Sequence, residues 1–135
     1  MSKSSVTEND LLKMILTGFD PLWRTGTTIY AALYTSDPGV NGTAITNEAN
    51  YTNYVRVSIT KSSGWTDSGS TFKNAGIITF PQCGAVGNVV THIGLVSTSS
   101  GAGQLFYYGS LTNPLTIINL IQPQFAVGSL VITET

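Results

Sequence analysis

Apolar residues change their spacing along this chain. Leu11, Leu12, Ile15 and Leu16 recur at helical spacing and predict one short helix near the N-terminus. Thr7 is placed to cap it, with Asp10 three residues on in capping-box spacing. Glu8 and Asp10 suit the positive end of the helix dipole, and Gly18 is a natural stop. Helix and following arm are expected over about 7–27. A helix so short and so apolar must dock on something.

Beyond the arm the period shortens to two. Thr28 to Thr35 is rich in β-formers, and Asp37-Pro38-Gly39 then turns the chain. A long loop is expected to about Asn53, punctuated by Asn41-Gly42, Asn47 and Asn50. Tyr54 to Lys61 alternates, with Val55, Val57 and Ile59 on one face and Arg56, Ser58 and Thr60 on the other. Further strands are predicted around Phe72, at Ile77–Phe80, Asn88–Ser97, Gln104–Leu111, Leu115–Ile121 and Phe125–Val127, and from Leu130 to Thr133. About eight strands with turns every eight to twelve residues predict an all-β protein. The expected fold is a jelly-roll-like β-sandwich of antiparallel strands with one short N-terminal helix, in a single domain over 1–135.

Composition narrows the function. Only 10% of the 135 residues are charged, against about 25% in an ordinary soluble domain. From Asn74 to Thr133 no Asp, Glu, Lys or Arg occurs. Most enzyme chemistry needs an acid, a base or an ion clamp, so the expectation is a protein that is not an enzyme and carries no cofactor. A net charge of −1 without a basic stripe disfavours direct nucleic-acid binding. It also repels other copies weakly. The polar start, Met1 to Ser5, lacks a signal peptide's apolar core, and no run reaches the ~18 apolar residues of a membrane span. No membrane association is expected, and the chain should be made and kept in the cytoplasm until it assembles.

Candidate chemistry is sparse. His92 stands in a strand without the further ligands that a metal site needs, and no serine sits in a nucleophile elbow. It reads as a half-buried histidine hydrogen-bonded within a sheet. Cys83 reads as a small apolar residue entering a turn. Asp37 and Glu48 flank the long loop, where a carboxylate pair could support glycosidase chemistry, but Asp-Pro-Gly is foremost a turn former. Gly101-Ala102-Gly103 opens a strand rather than a helix, so it reads as a hairpin loop and not a phosphate cradle. Tyr107 and Tyr108 are adjacent in a strand and point to opposite faces. Exposed Tyr and Trp favour interfaces and also stack on sugars.

Several segments together carry a resemblance. They are the apolar N-terminal helix, Leu33-Tyr34-Thr35-Ser36-Asp37-Pro38-Gly39, Asn47 through Val57, Thr79-Phe80-Pro81, Val90 through Leu95, Ser100 through Gly109, and Ile132-Thr133-Glu134. The chain resembles small tailed-phage virion proteins described as capsid cement or tail-fibre-like. Pro81-Gln82-Cys83-Gly84 departs from the small residues of that pattern. The resemblance implies a sandwich that assembles as dimers or trimers on a phage particle.

Two functions follow as expectations. The first is a non-catalytic capsid cement or decoration protein on the outer surface of the virion head, bridging subunits of the major capsid protein. The alternative is a tail-tip or tail-fibre protein that binds a host receptor or glycan. In either case the contacts are expected at Trp23 and Arg24 in the arm, at Asp37, Glu48 and Tyr51 in the long loop, and at Tyr107 and Tyr108. Part of the uncharged half should be a face that other subunits cover.

Overall fold

The structure is a computed structural model and describes residues 1–134. Its elements in chain order are β1 (Ser2–Lys3), α1 (Ser5–Thr17), a 3-10 turn at Leu22–Arg24, β2 (Thr28–Tyr34), β3 (Val57–Thr60), β4 (Trp65–Ser68), β5 (Thr71–Asn74), β6 (Ile78–Thr79), β7 (Asn88–Val96), β8 (Leu105–Ile117), β9 (Gln124–Phe125) and β10 (Val131–Thr133). All strand pairs are antiparallel. A five-stranded sheet runs β1-β8-β7-β2-β3, a three-stranded sheet runs β10-β5-β4, and β6 pairs with β9. The expected all-β sandwich with one short α-helix is the fold observed. Two of the strands, β1 and β4, fall outside the elements read from the sequence.

The two small sheets cover one face of the large one. Between them lies the main core, where Ala31, Leu33, Ile93 and Leu95 of the large sheet meet Ile78, Phe80 and Leu130, with Trp65 and Phe125 at its margin. Phe80 packs edge-on against Phe125 and parallel to Tyr54. The opposite face of the large sheet is also covered. There Ala32, Tyr34, Val96 and Leu105 form a second cluster with Ala44 of the long loop, and with Tyr30 and Tyr108 beside it. A strand buried on both faces reads as a continuous apolar run, and Ala31-Ala32-Leu33-Tyr34 is such a run, wholly inaccessible to solvent. Gly94 lies where a Cβ would come within 2.9 Å of both the Tyr34 ring and Leu105, so this position of β7 has no room for a side chain.

Pairing explains two differences from the expected strands. Asn113-Pro114 does not break the chain into two strands, because β8 continues through it. Between the pairs Val90–Leu115 and His92–Ser110 the register shifts, so Pro114 sits in a bulged stretch where its missing N–H costs no ladder bond. The same bulge turns Val90 and Ile93 to the same core and leaves His92 on the other face, across from Tyr34. Strand β3 is shorter than the alternation suggested. Val57 and Ile59 keep the expected inward phase, but Val55 is exposed and Arg56 is buried.

Arg56 is buried because three distant segments converge on it. Its Nε and Nη2 donate to Glu48 Oε2 at 2.7 Å and Oε1 at 2.9 Å. Its remaining donors reach the Thr98 and Gly101 carbonyls at 2.9 and 2.7 Å. Tyr54 Oη adds a hydrogen bond to Glu48 Oε2 and accepts one from the Leu33 N–H. The long loop and the β7–β8 hairpin loop are thereby pinned to the sheet. Side-chain exposures of 2% for Arg56 and 15% for Glu48 leave little water to screen the pair. Removing one partner of such a pair strands the other charge. Glu48→Ala should therefore lower the unfolding free energy by about 3 kcal/mol, read from the urea midpoint. A loss well under ~1 kcal/mol would mean that the pair is screened as surface pairs are.

Candidate functional site

The N-terminal helix defines the most unusual surface of this protein. Its cap is Ser4 rather than Thr7: Ser4 is extended, and its side chain accepts from the Thr7 N–H at 3.2 Å. The helix begins one turn earlier than the sequence reading placed it. Gly18 ends it in a left-handed conformation at φ 71°, as expected, and its N–H reaches back to the Lys13 carbonyl. The early start moves Thr7 and Asp10 from the cap into the body of the helix, where both are buried.

Those two polar residues, not the leucines, dock the helix. Thr7 Oγ1 donates to the Leu105 carbonyl at 3.2 Å and accepts from Gln104 Nε2 at 3.0 Å. Asp10 Oδ2 accepts from Trp23 Nε1 at 2.8 Å and from Gln104 Nε2 at 3.2 Å. The Ser4 N–H bonds the Phe106 carbonyl, and the Ser5 N–H bonds that of Val40. Directional bonds on both the side chains and the backbone fix the rotation of α1 about its axis. The apolar stripe therefore points away from the sandwich. Leu12, Ile15 and Leu16 are 57, 78 and 74% exposed, and Leu22 in the following 3-10 turn is 95% exposed. Alongside the stripe runs an open cleft of about 900 Å³, lined by Leu11, Leu12, Ile15, Val40 and Tyr108, with Lys3 and Glu134 paired at its rim.

The residues expected to make contacts are scattered, and several are occupied inside the chain. Trp23 stacks edge-on against Phe106 and holds Asp10, so it braces the helix. Arg24 is exposed and pairs with Asp20 one helical turn away. Asp37 is exposed and accepts from the Gly39 N–H, the expected turn. Glu48 is held by Arg56, so the two flanking carboxylates have separate partners. Tyr51 is 2% exposed and donates to the Pro81 carbonyl at 2.7 Å. Tyr107 and Tyr108 are half-buried on opposite faces of β8. His92 is half-buried, with Nδ1 2.8 Å from Thr91 Oγ1. Cys83 is buried, with its thiol towards the Val86 carbonyl. Gly101 lies in the β7–β8 hairpin loop, as expected. Among the described residues no group of acidic, His or Cys side chains could hold a metal ion, and no helix is long and apolar enough to cross a membrane.

The uncharged half also has an apolar surface of its own. Val86, Val89, Ile118, Leu120 and Ile121 are exposed. They are drawn together where the Leu120 N–H meets the Cys83 carbonyl and the Cys83 N–H meets that of Ile121. This surface lies at the Ile117 end of β8, whereas α1 packs at the Leu105 end.

A family model described as podophage GP4 fiber I protein gp80 matches residues 2–133. The chain belongs to that family. It is thus one of the phage virion structural proteins, and the bacteriophage resemblance read from its segments holds at that level. The match overturns the expected role as a capsid cement protein, because the family is one of fibre proteins. Cement and fibre proteins share the features used to choose between them, namely small size, a neutral surface and sparse ionisable groups. No curated protein matched the chain.

The tyrosines give this arrangement a pH signature. Burial pushes the Tyr51 phenol up to about 12. Burial, reinforced by the hydrogen bond to Glu134, pushes Tyr107 up to about 12. Burial first and Glu48 second raise Tyr34 and Tyr54 as well. In each case folding favours the protonated phenol. The stabilisation is complete below the ordinary tyrosine value near 10, and it is lost as pH rises from there through about 12. Stability to urea should hold up to about pH 10 and fall steeply above it, with phenolate absorbance rising in step with unfolding. Full ionisation of all the tyrosines near pH 10 without unfolding would contradict the packing described.

Proposed function

We propose that this protein is a structural subunit of a phage tail fibre and acts by association rather than by catalysis. The observation that carries the reading is the match of a fibre family over residues 2–133. The surface supports it. The large side chains that the fold leaves most exposed are aliphatic, on α1, on the 3-10 turn and at the Ile118–Ile121 end. Aliphatic patches of this kind suit protein contacts, whereas sugar recognition calls for exposed rings with polar groups around them. Tyr34 and Tyr51 are buried, and Tyr54 spends its hydroxyl on Glu48. A joint between fibre components therefore fits the surface better than a glycan platform at the fibre tip.

Labelling intact virions with an antibody to this chain, viewed by electron microscopy, should decorate fibres at the tail and leave the head bare. Decoration spread over the head would overturn the proposal. Adsorption of the isolated protein to host cells would move the role from joint to receptor tip.

A further inference from the structure

We propose that one end of the sandwich, between the three-stranded and the five-stranded sheet, is a binding pocket for an uncharged aromatic ring system. The pocket does not depend on the fibre reading. It follows from the way the two sheets part there.

Register puts Phe72 on the inner side of its sheet. Residues two apart in a strand share a face, and Asn74, two residues on, is buried. Ile132 lies opposite Phe72, and Trp65 lies opposite Asn74, so both face the same way. Phe72 is nonetheless 39% exposed. It borders a pocket of about 360 Å³ between the sheets. Ile29 and Leu95 line it from the large sheet, with Tyr107 beside them, and Trp65, Phe72 and Ile132 line it from the small one. Protein interiors are packed almost as densely as crystals, so an apolar gap of this size is a place for a ligand.

Glu134 fixes the mouth. Its N–H donates to the Ser70 carbonyl at 2.9 Å, and its carboxylate accepts from Tyr107 Oη at 2.8 Å. The β4–β5 turn is thereby clasped to β8, which sets the spacing of the two sheets.

The lining selects the ligand. Among the described residues the charged group of the pocket is Glu134, and Lys3 pairs with it, so an entering cation meets a carboxylate already neutralised. A sugar would bring its hydroxyls against rings and branched alkyl groups, where unpaired polar groups are costly. An aromatic ring instead packs by face or edge against Trp65, Phe72 and Tyr107, and the Tyr107 oxygen can accept from a ring N–H. A cavity of about 150 Å³ holds one benzene ring, so about 360 Å³ has room for two. Such a ring system is carried by a small molecule or by a tryptophan of another protein.

Titration of the full chain with indole, followed by amide NMR, tests the pocket. Indole should shift the amides of β4, β5 and β10 and those of Leu95 and Tyr107, and leave α1 unmoved. Phe72→Ser should weaken indole about tenfold or more. Ile132→Phe fills the gap, so it should abolish the shifts and raise the urea midpoint, and it decides the matter even if Phe72→Ser does not fold. N-acetyltryptophanamide separates the two sources. Affinity close to that of indole assigns the pocket to a protein side chain, and affinity about tenfold weaker or less assigns it to a free small molecule. No shifts up to the solubility limit of indole, or shifts centred on α1, overturn the assignment. So does indole binding that Ile132→Phe leaves unchanged, or equal binding of tetramethylammonium or methyl glucoside.

Discussion

Strand β2 has no wet face, and the placement of the other elements follows from covering it. Ala31 and Leu33 face one way, Ala32 and Tyr34 the other, and all four are sealed from solvent. Covering the first face takes ordinary sandwich material: two small sheets that bring Ile78, Phe80 and Leu130 over the centre of the large one. Covering the second takes irregular chain, the loop that carries Ala44 and the hairpin loop after β7. Irregular chain brings backbone polar groups into dry surroundings, where each must find a partner. Arg56, itself buried, ties the hairpin loop down by donating to the carbonyls of Thr98 and Gly101 while Glu48 neutralises it. The Tyr34 hydroxyl does the same for Ala44, donating to its carbonyl at 2.9 Å. The ion pair thus arises from the way the second face is closed.

The helix solves the remaining part of that coverage in an unusual manner. The end of the second face near Leu105 and Tyr108 is polar at its rim, with free carbonyls on Leu105 and Phe106 and the amide of Gln104. A leucine stripe laid there would bury those groups without partners, at a cost of the order of 1–3 kcal/mol each. Ser4, Thr7 and Asp10 satisfy them instead. The side of α1 that suits the sandwich is therefore its polar side, and the leucines are left over.

Local pattern made much of this fold legible. The buried run of β2, the turn at Asp37, the inward phase of Val57 and Ile59, the helix stop at Gly18 and the hairpin at Gly101 all follow from spacing and turn chemistry. What stayed hidden depended on partners far along the chain. Arg56 reads as a solvent-facing residue until Glu48, Thr98 and Gly101 close around it. Pro114 reads as a break until the β7–β8 bulge shows that no ladder bond is missing there. The candidate contact residues were chosen as aromatics and charges, the types that usually anchor interfaces. Here three of the seven, Trp23, Glu48 and Tyr51, are internal braces, and the most exposed large side chains are aliphatic. One signal for it was present in the sequence. Ser4, Thr7 and Asp10 repeat every three residues on the side of the helix opposite Leu12 and Leu16, and their short polar side chains can reach a sheet's exposed carbonyls.

Inverted amphipathicity also bears on why the chain can remain folded before it assembles. A helix docked by its apolar side would have to leave the sandwich to present leucines to a partner, exposing core and losing cooperativity. A helix docked by hydrogen bonds presents them at no conformational cost, so association needs no rearrangement and gains the full hydrophobic term of the covered face. The drawback is an exposed sticky surface while no partner is bound. On α1 that risk is confined to one face, because the cap at Ser4 and the stop at Gly18 limit the stripe to little more than three turns. The length of α1 thus bounds both the strength of the contact and the hazard of leaving it open.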